Sequence, residues 1–193
     1  MISLIDRIVS EVRSALSHGL PLSALALALT LPDSCGKAEY PDETNGIRYK
    51  KWCRQYVITD RSDSPYSCDM PYLNEDIIYS LRNSLLHQST PNVEQSKIHE
   101  PRCKVDKFEL VMSERDCATG DLSMVAYGKD MHIVRRELTV YVSHLCHILC
   151  SAAEQYYKDH KDKFGFIQYS LVNDRNDKFM PINLNKQKKG NTQ

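Results

Sequence analysis

Apolar residues recur three and four positions apart through much of the first half of the chain. Leu4, Ile5, Ile8, Val9, Val12, Ala15 and Leu16 predict an amphipathic helix over residues 2–18. Gly19 fits as its C-cap and Pro21 as the first turn of a second helix. That second segment alternates leucine and alanine, which also matches the period of a strand. Alanine and leucine favour helix, β-branched residues are nearly absent and the proline sits at the start, so a helix is expected. Its first turns are apolar all round, which places it inside a bundle. Pro32 should kink or break it, and Cys35-Gly36 should then allow a neighbour to come close.

A polar turn at residues 41–46 precedes a third helix at 47–57. Tyr49, Trp52, Cys53 and Tyr56 share one face of it, with Lys50, Lys51 and Arg54 outside. Aromatic and basic residues together suit base stacking, but at helical spacing such aromatics are about three times as often core. A polar loop over 58–71 leads to the helix at 73–88, which has the strongest start signal in the chain. Asn74 is a good N-cap, Glu75 and Asp76 place negative charge at the positive helix end, and Leu73 can staple onto Ile78. Ser89-Thr90-Pro91 ends it.

Beyond Pro91 the pattern changes. Residues 105–112 and 122–127 alternate and are rich in strand formers, with turn residues including Gly120 between them, so a β-hairpin is expected, inserted at about 104–128. Residues 133–139 can add a short third strand. Tyr141, Leu145, Ile148, Leu149, Ala152, Ala153 and Tyr156 then mark a long helix over about 140–160. The expected fold is mainly α: an antiparallel helical bundle with a small inserted β-hairpin or short antiparallel sheet. A single domain over 1–180 would carry a flexible tail at 181–193.

Composition narrows the classes. At 41% hydrophobic and 26% charged, the 193-residue chain reads as one globular domain. Its most apolar stretch, residues 20–31, is about half the ~20 residues a membrane span requires, so no membrane association is expected. The first residues carry acids among the apolar positions and lack the basic start of a secretion signal. Seven cysteines without a C-x-x-C pair then suggest reduced thiols in a cytoplasmic protein. Acids and bases balance at 25 each, so contact with RNA or DNA would be local and not a bulk-charge effect. The basic cluster Lys186-Gln187-Lys188-Lys189 lies in the expected tail and carries little weight.

Candidate chemistry centres on Arg82-Asn83-Ser84-Leu85-Leu86-His87. An arginine and a histidine at this spacing arise by chance about once in such a chain. A second match, Arg13 to His18, ends at a helix C-terminus where a histidine simply suits the dipole. In the 73–88 helix, Ile77, Ile78, Leu81 and Leu85 gather into a core-facing stripe. Arg82, Leu86, Tyr79, Asn83 and His87 lie around the other side. Leu86 and Tyr79 make that side a second burying face with Arg82 and His87 at its margins, as in a groove or subunit interface. The competing account is a central bundle helix with both polar residues snorkelling outward, and the residues alone weigh the two about evenly. His144, His147 and Cys150 share helical spacings of three, but no fourth zinc ligand accompanies them; zinc rates roughly one in ten. Neither a phosphate-binding glycine loop nor a hydrolase elbow is present.

The Arg82–His87 hexapeptide resembles the R-[polar]-x3-5-H motif of the HEPN superfamily, which includes bacterial toxins, phage-defence proteins and CRISPR-associated nucleases. The segments at 26–33 (ALALTLPD) and 48–52 (RYKKW) resemble those preceding the motif in HEPN-like bacterial proteins. The likeness covers roughly residues 1–90, and the 105–127 hairpin departs from a minimal HEPN bundle. The resemblance implies a metal-independent endoribonuclease that needs no cofactor and works as a homodimer with a composite site. In it Arg82 stabilises phosphate charge, His87 acts as base or acid and Asn83 orients the ring or binds phosphate. It also implies RNA as a ligand and an antitoxin or other protein as a further partner. The alternative is an inactive HEPN-like module that binds RNA, a nucleotide or a protein; a purely helical scaffold is the third reading.

Overall fold

The computed structural model describes residues 3–58, 70–93, 98, 104–112 and 121–167. The expected tail at 181–193, the 113–120 loop and most of the 58–71 loop lie outside them. The described chain is mainly helical with a small three-stranded mixed sheet, and its order is α1 (Leu4–Ser17), α2 (Pro21–Ala28), α3 (Leu31–Glu39), α4 (Asn45–Tyr56), α5 (Glu75–Gln88), β1 (Lys107–Val111), β2 (Leu122–Tyr127), β3 (Ile133–Tyr141) and α6 (Val142–Asp159). Among the described residues no helix is long and apolar enough to cross a membrane.

Each helix boundary has a local cause. Ser3 caps α1 by accepting from the Asp6 amide, and Gly19 leaves it at φ +69°, a left-handed value that suits glycine. The segment after Pro21 breaks in two, as Pro32 predicted. A proline ring clashes with the carbonyl four residues back, here Ala28, which is the last residue of α2. Leu29-Thr30 form the break, and Thr30 Oγ1 turns back to donate to the Leu27 carbonyl at 2.7 Å. Pro32 then sits in the first turn of α3, where its missing N–H costs nothing.

The α3–α4 contact depends on Gly36. A Cβ there would lie 2.9 Å from the Arg48 carbonyl oxygen and 3.1 Å from its carbon, both backbone atoms of α4. The aromatic face of α4 is core: Trp52 is fully buried, stacks on Tyr56 at 5.5 Å and meets the edge of Tyr156 from α6 at 5.9 Å. Its basic face pairs with the acids that open α5, Lys50 with Asp76 at 3.1 Å and Arg54 with Glu75 at 2.7 Å. Leu145, Cys146, Leu149, Cys150, Ala153 and Tyr156 of α6 complete the core. At the other end of α3, Glu39 accepts from Tyr156 Oη at 2.7 Å and from Lys163 Nζ at 2.5 Å.

The sheet corrects the expected hairpin. β1 and β2 do not pair with each other; β3 lies between them, parallel to β1 and antiparallel to β2. The true hairpin is β2–β3, closed by a tight turn in which the Gly128 amide donates to the His132 carbonyl at 2.8 Å. The sheet is therefore mixed, and it extends to Tyr141, beyond the expected insertion. β3 takes the centre because it is the longest strand and carries Leu138 and Val140 into the core. It runs without a loop into α6.

Two outcomes follow. Gly36→Ala should destabilise the protein by about 1–3 kcal/mol in denaturant unfolding, because backbone atoms cannot swing aside. Burial alone would raise the Glu39 carboxyl, but the hydrogen bonds from Lys163 and Tyr156 and the Lys163 charge together lower it. A depressed folded value means stability that is present above the ordinary glutamate value of 4.5 and lost as pH falls through the depressed one. Glu39→Gln should flatten the stability–pH curve in that window and lower stability at neutral pH.

Candidate functional site

The helix that carries the motif is fixed at its start. Asn74 Oδ1 accepts from the Asp76 amide at 2.9 Å and the Ile77 amide at 3.0 Å, and Asn74 is itself buried. The other end stops at Ser89, which adopts a left-handed φ of 57°, and the Thr90 amide turns back to the Ser84 carbonyl. The buried side of α5 is Ile77, Ile78, Ser80, Leu81 and Ser84. Leu85, expected in the core stripe, is only half-buried against it. Two serines small enough for close helix approach take the inward positions, which a hydrophobic count does not register.

The face opposite is divided. Tyr79 packs within the chain, its ring 5.2 Å from that of Tyr49, under the backbone opened by Gly46. A Cβ at Gly46 would lie 2.9 Å from Tyr79 Oη. Asn83 and Leu86 are half-buried and His87 is exposed, so the open part of this face is its C-terminal end.

Arg82 joins the two parts. Its side chain is 18% exposed and reaches α3, where Asp33 Oδ2 accepts from Nε at 3.1 Å and from Nη2 at 3.0 Å. Nη1 donates to Asn83 Oδ1 at 2.9 Å and to His87 Nε2 at 2.8 Å. A guanidinium can only donate, so His87 Nε2 accepts, and the proton of the neutral ring is assigned to Nδ1. The structure thus brings Arg82, Asn83 and His87 together, with Asn83 turned to the guanidinium.

Asp33 was not singled out in the sequence. In the first turn of a helix an acid is sufficiently explained by the dipole, and its partner lies 49 residues away. The available signal was the arginine itself, since a half-buried guanidinium requires a carboxylate or its equivalent. The break after α2 helps place Asp33. Tyr49 Oη donates at 3.1 Å to the Leu29 carbonyl freed there, which ties α4 to the α2–α3 junction. Burial holds the Tyr49 phenol well above its usual range; Cys53 and Asp33 push it the same way and Arg82 opposes them.

The second copy of the pattern has a different geometry. Arg13 makes a two-pronged pair with Glu154 of α6 at 2.8 and 2.6 Å, while His18 Nδ1 lies 2.7 Å from the Ser14 carbonyl. Arginine and histidine are each engaged elsewhere, in keeping with a structural role.

The remaining nucleophiles and ligands are poorly disposed for chemistry. Burial raises the thiols of Cys35 and Cys53, lifts Cys146 to about 12 and Cys150 to about 11, and all four are free cysteines. Cys150 is buried whereas His147 is exposed, and among the described residues no group of three or more His, Cys, Asp or Glu is arranged to hold a metal ion.

Arg82→Ala leaves Asp33 partly buried without its ion-pair partner and should cost about 1–3 kcal/mol of unfolding free energy. His87→Ala, at an exposed helix end, should stay within about 0.5 kcal/mol of wild type. Thermal and denaturant unfolding of the two variants check both values. Compared with protein-family models, with curated proteins and with solved structures, the chain has no match.

Proposed function

We propose that this chain is a HEPN-like, metal-independent endoribonuclease whose working site is shared by two copies of the protein. The observation that carries this reading is the 2.8 Å contact between Arg82 Nη1 and His87 Nε2 at the open end of α5. It is supported by contrast with Arg13 and His18, which fit the same spacing but have separate partners.

Cleavage by internal attack forms a bond from the ribose 2′ oxygen to phosphorus and breaks the bond from phosphorus to the 5′ oxygen. The base removes the 2′-OH proton, the acid protonates the departing 5′ oxygen, and the products carry a 2′,3′-cyclic phosphate and a 5′-OH. Histidine titrates near ~6.5 and serves either role. Each chain offers one histidine at the motif, so base and acid come as His87 from each of two protomers. Arg82 lies beside the ring and offers its remaining Nη2 N–H to the charge that develops on the phosphate oxygens. Asn83, Leu86 and His87, the open part of the α5 face, form the contact between copies in this reading.

One observation favours the second reading, a HEPN-like module that binds RNA, a nucleotide or a protein without cleaving. Four of the five N–H bonds of Arg82 already have acceptors in the chain, and Asp33 balances its charge. Cleavage of RNA in EDTA separates the two. The nuclease reading expects cyclic-phosphate and 5′-OH ends, a dimer by light scattering, and a loss of 10²-fold or more on His87→Ala or Arg82→Ala. Undiminished cleavage by folded His87→Ala protein would remove His87 from the site.

A further inference from the structure

We infer that Asp33 is a positioning residue that acts through Arg82 to set which nitrogen of His87 carries the proton. The inference deepens the site proposed above; its effect on cleavage rests on that reading, but its effect on the ring does not.

The geometry is a relay of hydrogen bonds across two helices. Asp33 Oδ2 grips the Nε/Nη2 edge of the guanidinium, at 3.1 and 3.0 Å, from the first turn of α3. A guanidinium is planar and rigid, so fixing that edge also fixes the direction of Nη1. Nη1 is then held between Asn83 Oδ1 at 2.9 Å and His87 Nε2 at 2.8 Å. The ring has no choice of role at Nε2. It accepts there and carries its proton on Nδ1, opposite to the preference of an unconstrained imidazole. Without Asp33, the guanidinium can rotate about its long stem, Nη1 leaves the ring and the ordinary mixture of tautomers returns.

The arrangement assigns distinct duties to the two ends of Arg82. One N–H on Nη2 has no acceptor among these contacts and is left for an incoming phosphate, while Nη1 defines the imidazole. Asp33 therefore does not touch substrate. Its 24% side-chain exposure, beside Arg82 at 18%, keeps the ion pair only partly open to water, where such a pair retains more of its directional strength than on an open surface.

The test reads the ring directly. In protein labelled with 15N-histidine, at a pH of about 8, above the range in which an ordinary imidazole titrates, long-range proton–nitrogen spectra report which nitrogen is protonated. The signals of His87 are identified by their loss in His87→Ala. Wild type should show a protonated Nδ1 and an unprotonated, hydrogen-bonded Nε2. Asp33→Ala should move both nitrogens toward averaged values. Asp33→Asn, which preserves the volume but weakens the grip, should fall between, and Asp33→Glu should restore part of the wild-type pattern. Under the nuclease reading, Asp33→Ala also lowers kcat about tenfold or more. A wild-type ring protonated on Nε2, or an unchanged tautomer in folded Asp33→Ala or Asp33→Asn protein, overturns the inference even if Arg82 and His87 prove essential for cleavage. Faster cleavage by Asp33→Ala also overturns it, since Asp33 would then restrain Arg82 instead of positioning it. A wild-type protein that cleaves no RNA overturns the nuclease reading and leaves the tautomer measurement to decide on Asp33.

Discussion

The candidate site depends on one ion pair, Arg82 with Asp33. It bridges α5 to α3, two helices that each also pack against α4. A guanidinium with this little exposure is unstable without an acceptor, and a carboxylate at a helix start is favourably placed to supply one. Two polar side chains at the open end of α5 are arranged relative to that pair. Asn83 and His87 meet the nitrogen that Asp33 leaves unused, and Tyr79 is tucked under α4 next to Tyr49.

The pair exists because of a backbone event upstream. A continuous helix from Pro21 to Glu39 would carry Asp33 along one axis with the apolar turns of α2. Pro32 forbids this by colliding with the Ala28 carbonyl, and the chain turns at Leu29-Thr30. Tyr49 then uses the freed Leu29 carbonyl, and Gly36 lets α3 approach the α4 backbone. A proline, a glycine and a buried phenol thus place a carboxylate 49 residues before its arginine within 3.0 Å of it.

The local signals in the sequence were legible because their causes are local. The N-cap at Asn74, the interruption at Pro32 and the stop after Gln88 each follow from side chains within a few residues. The inward aromatic face of α4 was legible for a different reason: Trp52 buries a large area wherever a core exists. What could not be read was pairing at a distance. Two alternating strands in succession suggested a hairpin, yet the tight turn at Gly128–His132 gives β2 to β3, and β1 reaches the other edge of β3 in parallel. Ser80 and Ser84 are buried although they are polar, and Tyr79, expected on a second burying face, is half-buried against Tyr49 of its own chain. Of the site itself, Arg82, Asn83 and His87 were visible as a spacing; Asp33 was not, because nothing in a sequence marks which of 25 acids faces a given arginine.

The two copies of the arginine–histidine spacing show what a short motif does and does not contain. A five-residue spacing puts two side chains at opposite margins of a helix face, about 140° apart; it does not decide whether they meet. In α1, Glu154 offers both carboxylate oxygens to Arg13, so the arginine is drawn toward α6 while His18 folds back on Ser14 at the helix end. In α5, Asp33 offers one oxygen to one edge of Arg82 and leaves the other edge to the ring. The difference lies in the third residue and in which edge of the guanidinium it occupies, since each acid accepts from two of the five N–H groups. A carboxylate that takes the Nη1/Nη2 edge engages both outer nitrogens and makes a structural tie, and one that takes the Nε/Nη2 edge leaves Nη1 as a directed donor. On this argument the quantity that separates a chance match from a working pair is the direction in which a neighbouring acid leaves the arginine pointing.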